Sequence, residues 1–309
     1  MNRSLIKILI GIWLAIAVVL TGFLAYAIHY NKSAGDVFSF FKWRDVSAST
    51  VQKDENISLD NFNKINVDFS SSDIIVQTTD EPNLRVIQKA TSKLSEEEKF
   101  TINKENDNII IKRGTFRSVF RIFDFGEKIE VYIPKTYTKD LDIQSSSGNV
   151  IFNSDIDLNN LSCTIGSGSL QSKGNVNVNV ANLKANSGNI SVKSLSSKSY
   201  KVNTSSSNIA VDSLSGSGDA AASSGNVKIN YKDISEYSNV SSHSGDVDLV
   251  VPNGLSFQFN GRCSSGDIRS SFDLNYKNKK RNEATGQVGN GPYKKINAST
   301  NSGNIDISN

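Results

Sequence analysis

Two aspartates in the second half of the chain are the residues best placed to do chemistry. Asp246 and Asp267 each follow a glycine in a recurring phrase, and 21 residues separate them. If each copy of the phrase marks an equivalent layer of the fold, the two carboxylates stack about 5 Å apart. At that distance they raise the pKa of one partner or bind a cation jointly. Asp248 is expected on the same outward face as Asp246.

A structural role explains the same aspartates more simply. The equivalent position is asparagine in other copies of the phrase, for example Asn149 and Asn189. Asparagine and aspartate both favour turns, because their side-chain oxygens bond nearby backbone groups. We therefore prefer the turn interpretation over cation binding or catalysis, and we assign no catalytic residue.

Other kinds of reactive site find little support in the sequence. His29 and His243 are the two histidines, so a metal site built from several histidines is excluded. Cys163 and Cys263 are expected to point inward and to lie five layers apart, a separation of roughly 24 Å that no disulfide can bridge. The sequence contains no HExxH, CxxC or phosphate-binding loop, so it predicts no metal and no cofactor.

The phrase that carries the aspartates recurs through the second half of the chain. Its copies contain Ser-Gly-Asn or a close variant, followed by an apolar residue, and they are centred on Gly148, Gly168, Gly188, Ser207, Gly225, Gly245, Gly266 and Gly303. Successive centres differ by 20, 20, 19, 18, 20, 21 and 37 residues, which is a repeat of about 20 with one late insertion. A fixed period of this kind is typical of stacked repeat architectures.

Apolar residues alternate with polar ones on both sides of each phrase. Ile190 and Val192 follow Gly188 at plus two and plus four, while Leu161 and Ile165 precede Gly168 at minus seven and minus three. Period two is the mark of a strand with one buried face, and the parity changes across the phrase, so a corner lies there. We predict an all-β, single-strand-repeat β-solenoid with about 20 residues, two strands and two corners per rung. The alternative is an antiparallel sandwich.

The repeated glycines are predicted to be the turn residues of this solenoid. Glycine adopts positive φ without strain, which suits it to a sharp corner. The predicted turn glycines are Gly148, Gly168, Gly188, Gly225, Gly245, Gly266 and Gly303. Serine and asparagine beside them should line up in ladders along the corner.

An uncharged apolar segment near the amino terminus predicts a membrane anchor. Residues 8–28 match the roughly 20 residues that cross a bilayer as a helix. Arg3 and Lys7 precede this segment, which favours a cytoplasmic amino terminus at residues 1–7 and an extracytoplasmic body. The alternative is a cleaved signal peptide, because residues 25–27 read Ala-Tyr-Ala.

The remaining chain divides by composition. Residues 29–60 are expected to be a juxtamembrane linker, aromatic and basic at first and polar over 50–59, and 61–140 an irregular β region that caps the solenoid repeats of 141–309. Strands are predicted at 65–69, 74–77, 84–90, 100–103, 109–112 and 129–133. The apolar stretch within 113–126 is either buried over the cap or an exposed contact site.

The late insertion carries the clearest basic cluster. Lys277, Lys279, Lys280 and Arg281 lie close together between Gly266 and Gly303, and they are candidate contacts for an anionic polymer or lipid. A solvated hairpin tip is the alternative. The formal net charge of +3 argues against a dedicated nucleic-acid-binding protein.

Two further segments give the chain a family resemblance. Residues 130–135 read Glu-Val-Tyr-Ile-Pro-Lys, and residues 248–255 read Asp-Leu-Val-Val-Pro-Asn-Gly-Leu. With the Ser-Gly-Asn phrase, they resemble the putative-adhesin family of bacterial β-strand-repeat domains, which includes LiaG-like membrane proteins, over about residues 60–309. The resemblance implies a β-repeat fold, an envelope location and a role in adhesion or envelope stress. It implies no catalytic residues.

Together these observations predict a non-enzymatic binding or scaffold protein of the bacterial cell envelope. Its expected partner is a cell-wall polymer or an envelope or membrane protein, and its contact with the membrane is through residues 8–28. One alternative is an accessory component of an envelope-stress sensing system that acts through a membrane protein partner. The other is a wall-polysaccharide enzyme that uses Asp246 and Asp267.

Overall fold

The computed structural model describes residues 49–115 and 126–309. Within these two ranges no helix is long and apolar enough to span a membrane. The predicted anchor at 8–28, the aromatic and basic start of the linker and most of the apolar stretch at 113–126 lie outside the described residues.

The described chain consists of β-strands joined by turns, in a single sheet of 21 strands. The strands are β1 (Thr50–Ile57), β2 (Lys64–Phe69), β3 (Asp73–Thr79), β4 (Leu84–Ala90), β5 (Thr101–Glu105), β6 (Asn108–Lys112), β7 (Lys128–Pro134), β8 (Asp140–Ser145), β9 (Val150–Phe152), β10 (Ile156–Ile165), β11 (Leu170–Ala185), β12 (Ile190–Thr204), β13 (Ile209–Ser224), β14 (Val227–Ser244), β15 (Val247–Val250), β16 (Phe257–Ser265), β17 (Ile268–Ser270), β18 (Asn275–Tyr276), β19 (Glu283–Val288), β20 (Lys294–Ser302) and β21 (Ile305–Ser308). The predicted all-β class and the strands predicted before residue 134 are confirmed.

Parallel pairing between successive copies of the phrase makes the chain a β-solenoid. Strands before each corner form a first ladder in the order β5-β6-β2-β8-β10-β11-β12-β13-β14-β20-β16-β19-β18. Strands after each corner form a second ladder in the order β1-β4-β7-β3-β9-β11-β12-β13-β14-β15-β21-β17. Inward aliphatic side chains fill the space between the ladders as one continuous core.

The middle rungs differ from the prediction of two strands per rung. Within β11, Leu170–Ser172 belongs to the second ladder, Val176–Val178 pairs with Ile156–Leu158 as a third run, and Val180–Ala185 belongs to the first ladder. A corner at Gly174 separates the first two runs, where an added Cβ would lie 2.2 Å from the Ser154 carbonyl carbon. Alternate residues stay buried from 170 to 178, so no change of parity reveals this corner in the sequence.

The rungs do not stack in sequence order at either end. At the C-terminal end, β20 lies between β14 and β16, and β21 lies between β15 and β17. At the N-terminal end, β2 lies between β6 and β8, and β3 lies between β7 and β9. The last strands of the chain are therefore paired on both sides rather than left as an open edge.

Antiparallel strands close both ladders at the N-terminal end and the first ladder at the C-terminal end, where the second ladder ends at β17 in parallel pairing. β1, β4 and β5 lie at the N-terminal end, and the β18–β19 hairpin lies beyond β16 at the other end. The segment 50–59, predicted as a polar linker, is for the most part strand β1. Because β1 is the outermost strand of its ladder, most of its side chains are not buried and can be polar. Its sequence therefore lacks the alternation of apolar and polar residues that would predict a strand.

The rung order can be tested with the native thiol of Cys263. Thr300 is its neighbour in the adjacent rung, while Ser242 lies one rung farther away. Adjacent rungs place the α-carbons about 4.8 Å apart and the next rung at roughly 9.6 Å, beyond the limit for a disulfide. We expect Thr300→Cys to form a disulfide with Cys263 under mild oxidation, measured by free-thiol titration. We expect Ser242→Cys to leave Cys263 and the introduced cysteine free. The reverse result would mean that the rungs stack in sequence order.

Candidate functional site

The corner glycines are required by close backbone approach. A Cβ at Gly188 would lie 1.8 Å from the carbonyl oxygen of Gly168 in the previous rung, and one at Gly168 would lie 2.1 Å from the carbonyl oxygen of Gly148. The same contact recurs at Gly148, Gly225, Gly245, Gly266 and Gly303, at 1.9–2.2 Å. Positive φ, the predicted reason for these glycines, occurs at Gly266 and Gly303 but not at the other five.

The residue after each glycine forms a hydrogen-bonded ladder along the corner. The Asn226 backbone N–H donates to Asn208 Oδ1 at 2.8 Å, and the Asp246 N–H donates to Asn226 Oδ1 at 2.9 Å. Equivalent bonds join Asp73 to Asn149, Asn149 to Ser169, Asn189 to Asn208, Asp246 to Asn304 and Asn304 to Asp267. The predicted ladder is confirmed, but each oxygen bonds the next rung rather than its own turn.

The two candidate aspartates are not neighbours. Asn304 lies between them, because its N–H donates to Asp246 Oδ1 at 2.7 Å and its Oδ1 accepts from the Asp267 N–H at 3.1 Å. The predicted stacking of Asp246 on Asp267 was wrong, since the last rung of the chain separates the rungs that carry them. Asp246 and Asp267 are therefore too far apart to share a proton or a cation or to act as a catalytic pair.

The neighbouring acidic pair is instead Asp248 and Asp306. These residues are paired in adjacent rungs on the outward face of the second ladder. Partial burial, then the charges of Asp306 and Asp246, raise the pKa of Asp248. Arg269 Nη1 lies 3.7 Å from Asp306 Oδ1 and partly balances the pair. The described part of the chain contains no cluster of three or more histidine, cysteine or carboxylate groups that could hold a metal.

The remaining reactive side chains have structural surroundings. His243 is exposed at a corner, where its Nδ1 lies 2.9 Å from Asn301 Nδ2. Cys163 and Cys263 are free and buried, as predicted, and burial raises the pKa of both thiols, that of Cys263 to about 11. They lie six rungs apart along the first ladder rather than the predicted five, because β20 intervenes.

The four basic candidates surround the turn between β18 and β19 but do not form one patch. Lys277 Nζ pairs with Glu283 Oε2 at 2.6 Å, and the Arg281 guanidinium lies 4.2 Å from the centre of the Tyr276 ring. Both side chains thus take part in the hairpin itself. Lys279 and Lys280 are exposed at the turn, where they can meet an anionic partner.

A groove of about 880 Å³ lies beside this hairpin, on the outward face of the first ladder. One row of its lining consists of Asn239, Asn297, Asn260, Thr285 and Asn275, and a second consists of Ser241, Ser299, Arg262, Glu283 and Lys277. Arg262, whose side chain is 74% exposed, was not predicted as a site residue. The sequence does predict that Arg262 points outward, because it lies between the inward Gly261 and Cys263. It does not predict the groove, because β14 and β20, which form part of its lining, are distant from Arg262 in sequence.

A second, smaller groove of about 640 Å³ lies on the third run of the middle rungs. Its asparagines bond their neighbours in adjacent rungs: Asn177 Nδ2 donates to Asp157 Oδ1 at 2.9 Å, and Asn179 Nδ2 donates to Asn159 Oδ1 at 3.0 Å. In the larger groove, Asn297 and Asn239 are bonded in the same way, whereas the amides of Asn260 and Asn275 make no hydrogen bond within the described part of the chain.

Comparison with known proteins identifies one matching family model. A model described as Toastrack DUF4097 matches residues 62–308. A search of curated proteins found no match.

Several solved structures are similar to the chain at low identity. A putative adhesin from Parabacteroides distasonis is 14% identical with a TM-score of 0.48, covering 82% of this chain and 96% of that one. A putative lipid binding protein from the same species is 15% identical with a TM-score of 0.46, covering 83% and 96%. A putative adhesin from Bacteroides fragilis is 12% identical with a TM-score of 0.43, covering 82% and 96%. These values are too low for the functions in those names to be transferred.

Because the backbones approach closely at the corner, a single methyl group added at Gly188 should strongly lower the stability of the fold. Gly188→Ala forces the Gly168 and Gly188 corners apart, and we expect it to lower the free energy of unfolding by about 3 kcal/mol, measured by urea denaturation. Ser207→Ala is the matched control, because that rung already carries a Cβ and its hydroxyl bonds only the neighbouring Ser206 carbonyl. The control should stay within about 0.5 kcal/mol of the wild type. Equal effects of the two substitutions would contradict the steric explanation.

Proposed function

The chain belongs to the Toastrack DUF4097 family, whose model matches residues 62–308, and from this premise we propose that it is a non-enzymatic binding or scaffold protein of the bacterial cell envelope. The proposed ligand class is a repetitive polymer of the cell wall.

The observation that carries this proposal is a row of polar side chains on the outward face of the first ladder. Equivalent positions in successive rungs hold Ser162, Asn182, Lys201, Asp219, Asn239, Asn297 and Asn260. The rungs repeat at about 4.8 Å, so the row offers hydrogen-bonding groups at regular intervals. A polymer that engages several of them at once gains affinity by avidity, although each bond is weak.

The roles of the corner aspartates support binding rather than catalysis. Asp246 Oδ1 accepts a hydrogen bond from the Asn304 backbone, which continues the ladder that asparagines form in other rungs. The Asp246 carboxylate thus has the same structural role as the asparagine side chains of other rungs, and this role explains its presence without catalysis.

We further propose that the protein is anchored in the cell membrane through residues 8–28, with residues 1–7 in the cytoplasm and the β-solenoid outside. The apolar length of that segment and the preceding Arg3 and Lys7 support this arrangement. The juxtamembrane linker would then end before β1, which begins at Thr50. The exposed Lys279 and Lys280 would be available to anionic wall polymers.

The direct test is retention of a soluble fragment on purified cell-wall fractions. Residues 46–309 form one unit by their internal contacts, so this fragment should fold alone. We expect the wall to retain it at low salt. Neutralising the exposed turn with Lys279→Gln and Lys280→Gln should weaken retention roughly 30-fold, at about 1 kcal/mol per lysine near an anionic surface.

A charge-matched pair of substitutions controls for nonspecific attraction. Lys173→Gln and Lys193→Gln remove the same charge from exposed lysines at the corner that follows the second ladder, and they should leave retention unchanged. No retention of the wild-type fragment would contradict the proposed function. If the full chain then captured one membrane protein by cross-linking, the accessory role in envelope-stress sensing would replace it.

A further inference from the structure

Arg262 and Lys277 share a single carboxylate in the groove, so these three side chains together carry a net positive charge. Glu283 lies between two basic residues, but its Oε2 is 2.6 Å from Lys277 Nζ, whereas its Oε1 is 4.0 Å from Arg262 Nε. The hydrogen bond and charge of Lys277 hold the pKa of Glu283 below its usual range. Because one carboxylate faces two cations and Lys277 makes the shorter contact, the exposed Arg262 guanidinium can also pair with an external anion.

The groups around Arg262 are neutral and can both donate and accept hydrogen bonds. Asn260 and Asn297 lie in the neighbouring row, and Ser299 is the partner of Arg262 in the adjacent rung. Among the described residues, the side chains of Asn260, Asn275 and Thr285 make no hydrogen bond to protein, whereas Asn297 Nδ2 in the same groove donates to Asn239 Oδ1 at 2.8 Å. The larger groove thus offers amide and hydroxyl groups with unused bonding capacity beside a guanidinium that shares its carboxylate with Lys277.

This combination matches a chain of sugars that carries acidic groups. A guanidinium pairs with a carboxylate or a phosphate through two parallel hydrogen bonds. Amides and hydroxyls with free donors and acceptors suit the hydroxyl groups of the sugars themselves. The side chains in the two lining rows are polar or charged, which favours a ligand with many hydrogen-bonding groups over a lipid tail.

We propose that the groove beside the β18–β19 hairpin binds an anionic polysaccharide, with Arg262 bound to its carboxylate or phosphate groups and Asn260 and Thr285 bound to its hydroxyls. This rests on the proposed function and adds to it a site and a ligand class. Lys279 and Lys280 lie at the turn of the same hairpin and would contribute long-range attraction.

The test measures binding of the full-length protein in detergent to four polymers. Polygalacturonate supplies sugar and carboxylate, poly(glycerol phosphate) supplies polyol and phosphate, dextran supplies neutral sugar, and inorganic polyphosphate supplies charge alone. We expect binding to polygalacturonate or poly(glycerol phosphate), the better of which identifies the acidic group, and weaker binding to dextran and polyphosphate. Polyphosphate binding as tight as that of the better polymer would overturn recognition of the hydroxyls.

Two arginine variants from the same rung locate the binding site. Arg262→Gln should weaken binding about 20-fold, because it removes charge-assisted hydrogen bonds. Arg269→Gln removes the same charge from the second ladder, where Arg269 pairs with Asp306, and should bind like the wild type. Asn260→Ala should weaken binding about fivefold, with retained thermal unfolding for all three variants showing that they fold.

The outcomes separate this inference from the proposed function. If wild-type protein binds wall fractions but Arg262→Gln binds them equally well, the groove is not the site and the inference fails alone. Equal losses in Arg262→Gln and Arg269→Gln would also overturn it, since the attraction would then be nonspecific. If the wild type binds neither the wall fractions nor any of the four polymers, both proposals fail.

Discussion

The close stacking of backbone at the corners is the constraint on which the rest of the structure depends. At Gly188 the chain passes so near the Gly168 carbonyl that a side chain cannot fit, and the six other corner glycines meet the preceding rung of the stack in the same way. This contact sets the register in which asparagine and aspartate oxygens accept backbone N–H groups from the next rung. The same register places inward aliphatic side chains over one another and outward polar ones in rows.

Stacking of this kind leaves an unpaired edge at each end of a solenoid. Near both ends of this solenoid, the rungs are stacked out of sequence order. A rung formed early in the sequence, β2 and β3, and the rung formed last, β20 and β21, are each enclosed between two others. Antiparallel strands take the outermost positions of both ladders at the N-terminal end and of the first ladder at the C-terminal end. β20 and β21 thereby gain hydrogen bonds on both sides, and the β18–β19 hairpin beyond β16 also forms one side of the larger groove.

The solenoid itself is predictable from the sequence, whereas the rung order and the groove are not. Strand parity around Gly188 and the recurrence of the phrase require stacked rungs, and the resemblance to a putative-adhesin family of β-repeat domains is confirmed by the match to the Toastrack DUF4097 model. The phrases at Gly245, Gly266 and Gly303 are nearly identical, so nothing local in them tells which two are adjacent. The error over Asp246 and Asp267 follows from that ambiguity. Arg262 was missed because its availability to an external anion depends on the ion pair between Lys277 and Glu283, which only the folded hairpin creates.

The most direct test of this account is hydrogen exchange at the backbone amides of the last rung. The Gly303 N–H donates to the Ser265 carbonyl and the Ile305 N–H to the Asp267 carbonyl, both at 3.0 Å, within strands that are also paired on their other side. Although these residues lie near the end of the chain, we expect the amides of β20 and β21 to exchange as slowly as those of β12 in the middle of the stack. Exchange at the fast rate of a frayed terminus would contradict it, because the last rung would then not be enclosed.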